Sequence, residues 1–205
     1  MEIKRTANAG VLIKSNGTSV LLDGFCTPPL PFLATPNEIK EEILSSLPNI
    51  VGFTHKHYDH FDADFADYYS KTTGEKVILE PDICVQKGDV KVISVKTRHL
   101  GKSQVSHVSF VVLAENKCIW FSGDAAPVSL LGLGLPKPDI LIVPFAYVNT
   151  ESSLKNTLKS GASNILVVHM PNKENDAYNV YETVENTIKE KKEVKILQLG
   201  ETFYI

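Results

Sequence analysis

Residues 140–143 (Ile-Leu-Ile-Val) and 165–168 (Ile-Leu-Val-Val) are apolar at every position. A strand with one face in water alternates apolar and polar side chains, so an unbroken run of this length belongs to a strand covered on both faces. Such strands need layers above and below. Leu154 and Leu158, one helical turn apart between the two runs, mark one covering helix. The same spacing predicts helices over 37–47 (Ile39, Ile43, Leu44, Leu47), around Phe61, Phe65, Tyr68 and Tyr69, and over 177–191. Strand-length runs fall at 50–53, 77–79, 90–95 and 194–197, and the N-terminus begins in strand-like sequence. Hairpins cluster in two places. Asn16-Gly17 separates 11–13 from 20–22, and Glu115-Asn116 separates 107–113 from 118–121. Pro28, Pro29 and Pro31 make a loop, because proline removes donors and fixes φ. Interleaved strands and helices with clustered hairpins predict two sheets packed face to face, with helices outside, over a single domain spanning residues 1–205.

Hydrophobic residues form 43% of the chain, enough for a core, and the net charge of −3 repels a phosphate backbone, which disfavours nucleic acid as a partner. The N-terminus lacks the apolar segment of a signal peptide, and no run approaches the ~20 apolar residues of a membrane span. Cys26, Cys84 and Cys118 are odd in number and widely spaced. They are expected to be buried free thiols in a reducing, cytoplasmic protein rather than disulfides or thiolate metal ligands.

Of six histidines, three fall in His55-Lys56-His57-Tyr58-Asp59-His60, directly after the apolar run Val51-Gly52-Phe53. Imidazole and carboxylate are natural ligands of zinc and related divalent metals. In extended backbone, side chains at i and i+2 point the same way, so His55 and His57 can grip one metal. Asp59 and His60 follow where the chain turns and can reach a second. A plain polar loop ahead of a helix, with Asp62 as its N-cap, would need only one or two of these residues.

The segment resembles the His-x-His-x-Asp-His signature of the metallo-β-lactamase fold superfamily. Other motifs of that family resemble segments here in the same order: Val20-Leu21-Leu22-Asp23-Gly24, Thr97-Arg98-His99-Leu100-Gly101, Phe121-Ser122-Gly123-Asp124 and Val167-Val168-His169-Met170. The resemblance covers essentially the whole chain, and it is similar to the compact members that include sugar-phosphate lactonases. It implies an α+β fold, a four-layer αββα sandwich of two packed mixed sheets with helices on the outer faces. It also implies a ligand set: His55, His57 and His99 for one metal, Asp59, His60 and His169 for another, and Asp124 bridging both. Asp59 would in addition orient a hydroxide held between the metals, making Asp59 and Asp124 the catalytic residues.

His99 and His107 compete for one ligand position. His99 lies in a loop before Gly101, whereas His107 opens a strand beside Val105 and Val108, so His99 is expected to be the ligand and His107 structural. Asp23 is either an orienting partner for a ligand or a turn residue. Two divalent ions are expected, with zinc favoured by a nitrogen-and-carboxylate set and manganese, iron or nickel as alternatives. The expected activity is hydrolysis of a lactone, ester or phosphoester in a small molecule. The alternatives are a non-hydrolytic metal-binding or iron redox protein on the same fold, or a nuclease. Lys56, Tyr58, Arg98, Lys102, Tyr147, Asn149 and Lys173 lie near the motif ends and are candidate pocket residues.

Overall fold

In the computed structural model, which describes residues 1–101 and 104–205, the first three strands form an antiparallel meander: β1 (Glu2–Arg5), β2 (Val11–Ser15) and β3 (Thr18–Leu22). Asn16 and Gly17 close the second hairpin with φ of 47° and 80°, the left-handed geometry that a two-residue turn between twisted strands requires. Then follow α1 (Asn37–Ser45), β4 (Ile50–Gly52) and α2 (Ala63–Thr73). The Asp62 side chain caps α2, accepting from the Phe65 N–H at 2.9 Å. The second half contains β5 (Cys84–Lys87), β6 (Val90–Thr97), β7 (His107–Ala114), β8 (Lys117–Phe121), α3 (Pro127–Leu131), β9 (Ile140–Pro144), α4 (Glu151–Leu158), β10 (Asn164–Val168), α5 (Val180–Ile188), β11 (Val194–Ile196) and β12 (Thr202–Tyr204).

The strands form two mixed sheets, ordered β12-β1-β2-β3-β4 and β11-β10-β9-β8-β7-β6-β5. Strand alternation divides the apolar residues among three cores. Val11, Ile13, Val20 and Leu22 of the first sheet meet Phe110, Val112, Ile119, Phe121, Ile140 and Ile142 of the second between the sheets. Their neighbours Val111, Trp120, Leu141, Val143, Ile165 and Val167 point outward against Leu130 of α3, Leu154 of α4 and Val184 and Ile188 of α5. On the other outer face, Leu12, Leu21 and Val51 pack on Ile39 and Ile43 of α1 and Phe65 and Tyr69 of α2. Each such side chain contributes roughly 1.5–3 kcal/mol by burial. The result is the expected four-layer αββα sandwich. The all-apolar runs are central strands because both of their faces are covered.

Several boundaries differ from expectation. Residues 77–79 make an isolated bridge, Ile78 to Gly52, and no full strand. The last helix is shorter than 177–191, beginning at Val180 after a left-handed Asn179 and ending at Ile188. Cys26 and Cys118 are buried, but Cys84 is exposed on β5, correcting the expectation of three buried thiols. Among the described residues no helix is long and apolar enough to cross a membrane.

Candidate metal centre

Strands β3 and β4 run parallel and end side by side, tied by the Asp23 N–H donating to the Gly52 carbonyl at 3.0 Å. Asp23 then adopts a left-handed φ of 48°, costly for a residue with a Cβ, and its carboxylate is fully buried. There it accepts from the Thr54 N–H at 2.7 Å, the Thr54 hydroxyl at 2.6 Å and His60 Nδ1 at 2.8 Å. Past Thr54 the chain carries His55 and His57 in a loop beyond the strand end, then turns, with the N–H groups of His60 and Phe61 both donating to the His57 carbonyl. From the second sheet, β6, β8 and β10 end at the same edge and deliver His99, Asp124 and His169. His99 bridges to Ala125 across the two loops. Gly123, at φ 51°, lies so close to Thr54 that a Cβ would overlap its side chain. That close approach carries the Asp124 loop against the histidine loop.

The arrangement gathers three groups of potential ligand atoms, each group lying within 4.8 Å: His55, His57 and His99; His55, His60 and Asp124; and Asp59, His60 and His169. Asp124 faces both ends of this array. Its Oδ2 is 3.4 Å from His60 Nε2, 3.6 Å from His169 Nε2 and 3.9 Å from His99 Nε2. His169 Nε2 stands 3.1 Å from Asp59 Oδ2.

The hydrogen bonds fix tautomers. The Thr54 hydroxyl proton goes to Asp23, so at 3.0 Å Thr54 Oγ1 accepts from His55 Nδ1. His60 Nδ1 donates to Asp23, and His99 Nδ1 donates to the Leu100 carbonyl at 2.6 Å. With Nδ1 as donor in each, Nε2 is the nitrogen turned to the site: those of His60 and His99 have no hydrogen-bond partner, and that of His55 stands 2.8 Å from His57 Nδ1. Among the described residues, six buried side-chain atoms lack a hydrogen-bond partner, and three of them are His60 Nε2, His99 Nε2 and Asp124 Oδ1. Unpartnered buried polar atoms are costly, and their convergence from the ends of β4, β6 and β8 fits a cation between them. The donor set of imidazoles and carboxylates gives the protein the capacity to hold one or two divalent metal ions.

Charge follows the same geometry. Burial pushes the Asp124 carboxyl up, but His169 and His60 outweigh it and hold the group well below the usual carboxylate range. Burial is the largest single influence on Asp59 and works against its charge, but His169 and His60 together outweigh it and lower the carboxyl's pKa. His60 is raised, because Asp124 and Asp23 overcome its desolvation. His55 and His57 are lowered, mainly by burial.

The sequence profile of the β-lactamase superfamily domain matches residues 2–170, a span that contains all of these residues. The chain belongs to the metallo-β-lactamase fold superfamily. Solved structures share the fold of this superfamily member at low identity. A possible metal-dependent hydrolase from Veillonella parvula is 14% identical with a TM-score of 0.75, over 100% of this chain and 99% of its own. An isothiocyanate hydrolase from Delia radicum gut bacteria is 16% identical with a TM-score of 0.71, over 100% and 99%. The metallo hydrolase Igni18 from Ignicoccus hospitalis is 16% identical with a TM-score of 0.67, over 100% and 98%. No curated protein matches the chain significantly.

All seven expected ligand residues are brought together at this edge. His107 sits behind them, its ring 5.1 Å from that of His55 and 5.6 Å from that of His99. Its Nδ1 donates into a chain that runs through Thr97 and Ser109 to the Ser122 carbonyl. Its Nε2 is buried without a partner, and burial pushes its pKa down to about 3. Asp23 turns out to be both a turn residue and the partner that orients His60. The pocket candidates divide. Tyr58 is exposed and stacks edge-on with Phe32, and Phe32 and Phe145 both flank the His169 ring. Arg98 is exposed and, with Lys96, His99 and His107, lines a cavity of about 650 Å³. Lys56 is exposed, Asn149 lies against Ser153, and Lys173 lies over the Tyr181 ring. Tyr147 is no pocket residue: it is fully buried and its hydroxyl donates to the Ala125 carbonyl at 2.8 Å. Lys102 lies outside the described residues. Sequence reasoning missed Asn8, Phe32 and Phe145. Asn8 and Phe32 sit in loops and Phe145 opens a short helical turn, each outside the histidine motif and with no motif around it.

Proposed function

We propose that the protein is a metal-dependent hydrolase of a small molecule bearing a lactone, ester or phosphoester bond, with residues 1–205 acting as one domain. The observation that carries this reading is the convergence of unpartnered His60 Nε2, His99 Nε2 and Asp124 Oδ1 on one buried edge. In it, His55, His57 and His99 hold one cation, Asp59, His60 and His169 hold a second, and Asp124 serves both. Bound there, divalent cations supply Lewis acidity and bring the pKa of a water from 15.7 toward about 7. Asp59, ionised beside His169, would help hold a cation and orient the attacking water or hydroxide. Asp23 and Thr54 keep His60 and His55 in the tautomers that present Nε2 to the site. Zinc suits the thiolate-free donor set best, and the buried free thiols of Cys26 and Cys118 suit a reducing cytoplasm.

Elemental analysis of purified protein, followed by a substrate panel, tests the reading. Close to two transition-metal ions per chain are expected. The panel contains a lactone, a phosphodiester, a thioester and an isothiocyanate, the last because an isothiocyanate hydrolase shares the fold. Protein that binds only traces of zinc, manganese and iron after reconstitution would overturn it. Within this reading His99→Ala should weaken zinc binding and hydrolysis far more than His107→Ala. The reverse order, in variants folded by circular dichroism, would exchange the roles of the two histidines.

A further inference from the structure

The turn between β1 and β2 reaches the centre at Asp59 and His169. Its Thr6 N–H donates to the Gly10 carbonyl at 2.9 Å. Gly10 lies against the backbone of Asp23 and Gly24, where a Cβ would collide with both. The turn is anchored by Arg5, which is fully buried and has no carboxylate partner among the described residues. Its guanidinium instead donates to four carbonyls, those of Ala7 at 3.1 Å, Asn8 at 2.7 Å, Leu197 at 3.0 Å and Met170 at 3.5 Å. The Asn8 carbonyl also accepts from the His169 N–H at 2.9 Å. The backbone of residue 8 is therefore held by Arg5 and His169 whatever side chain it carries.

That side chain is only 1% exposed. Its Nδ2 stands 3.1 Å from Asp59 Oδ2 and 3.2 Å from His169 Nε2, and its Oδ1 faces the Leu33 N–H at 3.5 Å. A carboxylate can only accept, so the nitrogen end of the amide faces Asp59. Asp59 Oδ2 thus receives a donor from a third part of the chain, and its carboxylate is kept from rotating away from His60 and His169. We propose that Asn8 is a positioning residue of the metal centre: its carboxamide holds the Asp59 carboxylate beside His60 and His169 and so sets the affinity of that three-residue cluster for its cation. The proposal rests on the metal-centre reading above, and it concerns one of the two clusters only.

Zinc titration under chelator competition tests it on the whole chain. Partners that orient a metal ligand are typically worth 10–100-fold in affinity. Asn8→Leu, which fills the same space without a donor, is therefore expected to weaken one of the two zinc equivalents by roughly 10–100-fold and leave the other unchanged. Asn8→Ala should do the same, since the Arg5 and His169 contacts are to the backbone. Were Asn8 a filler, Asn8→Leu would bind both equivalents like the wild type, and that result overturns the proposal. The wild type supplies a readout independent of whether the variants fold. In ¹H–¹⁵N spectra the Asn8 side-chain amide should shift with one zinc equivalent and not the other, and no shift with either overturns the proposal. A wild type that takes up no zinc would instead overturn the metal-centre reading itself.

Discussion

Asp124→Asn is expected to leave a folded protein that binds about one metal ion in place of two, with hydrolysis reduced by more than about a hundredfold. The lower bound follows from comparison: residues that merely orient a ligand are worth about 10–100-fold, and Asp124 faces the cation space directly. Its Oδ2 is within 3.4–3.9 Å of His60, His169 and His99, so in the proposed two-metal site this one carboxylate would offset the repulsion between the dications. The amide keeps the shape and loses the charge. One cation acidifies water less than two, so residual activity should move to higher pH. Metal stoichiometry together with a pH–rate profile checks this. Unchanged stoichiometry with an unchanged profile would reduce Asp124 to a turn residue after Gly123 and end the two-metal reading.

Asp23→Ala should have the largest effect on stability. The fully buried carboxylate accepts from the Thr54 N–H, the Thr54 hydroxyl and His60 Nδ1. Truncation leaves all three donors without this acceptor and keeps a residue with a Cβ at a φ of 48°. Removing one partner from a buried network of this kind costs about 3–5 kcal/mol. For a chain of this size that lowers Tm by roughly 10 °C. Zinc affinity should also fall about 10–100-fold, because His60 is freed to rotate or change tautomer. Thermal unfolding of the metal-free protein separates the two effects from each other. A Tm within a degree or two of wild type would show that Thr54 and His60 find other partners.

The two sheets and their outer helices could be read from strand periodicity because burial on both faces leaves long all-apolar runs in a central strand, as over 140–143 in β9 and 165–168 in β10. Residues 77–79 carried the same apolar signal yet form only one bridge. Apolar content reports burial, whereas a strand also needs a neighbour in register. Tyr147 shows the converse limit. Its place shortly after β9 suggested the pocket, but the short helical turn over Phe145–Tyr147 directs its ring into the core.

The histidine motif is local chemistry. His55, His57, Asp59 and His60 are near one another in any fold that keeps the strand end and the turn after it, so the sequence alone determined that a group of potential metal ligands exists and which strand presents it. His99, Asp124 and His169 could be chosen as candidates because each ends an apolar strand. Only the tertiary structure decided that the ends of β6, β8 and β10 meet those of β3 and β4 at one edge, with Asp124 facing both halves of the array. It alone brought Asn8 to Asp59 across 51 positions of sequence, and set His107 behind the cluster with an unpartnered Nε2. The physical reason is the same in each case. A side chain's identity is local, but its partner is set by strand order and by which loops the sheets bring together, and these depend on how the whole set of apolar faces is buried at once.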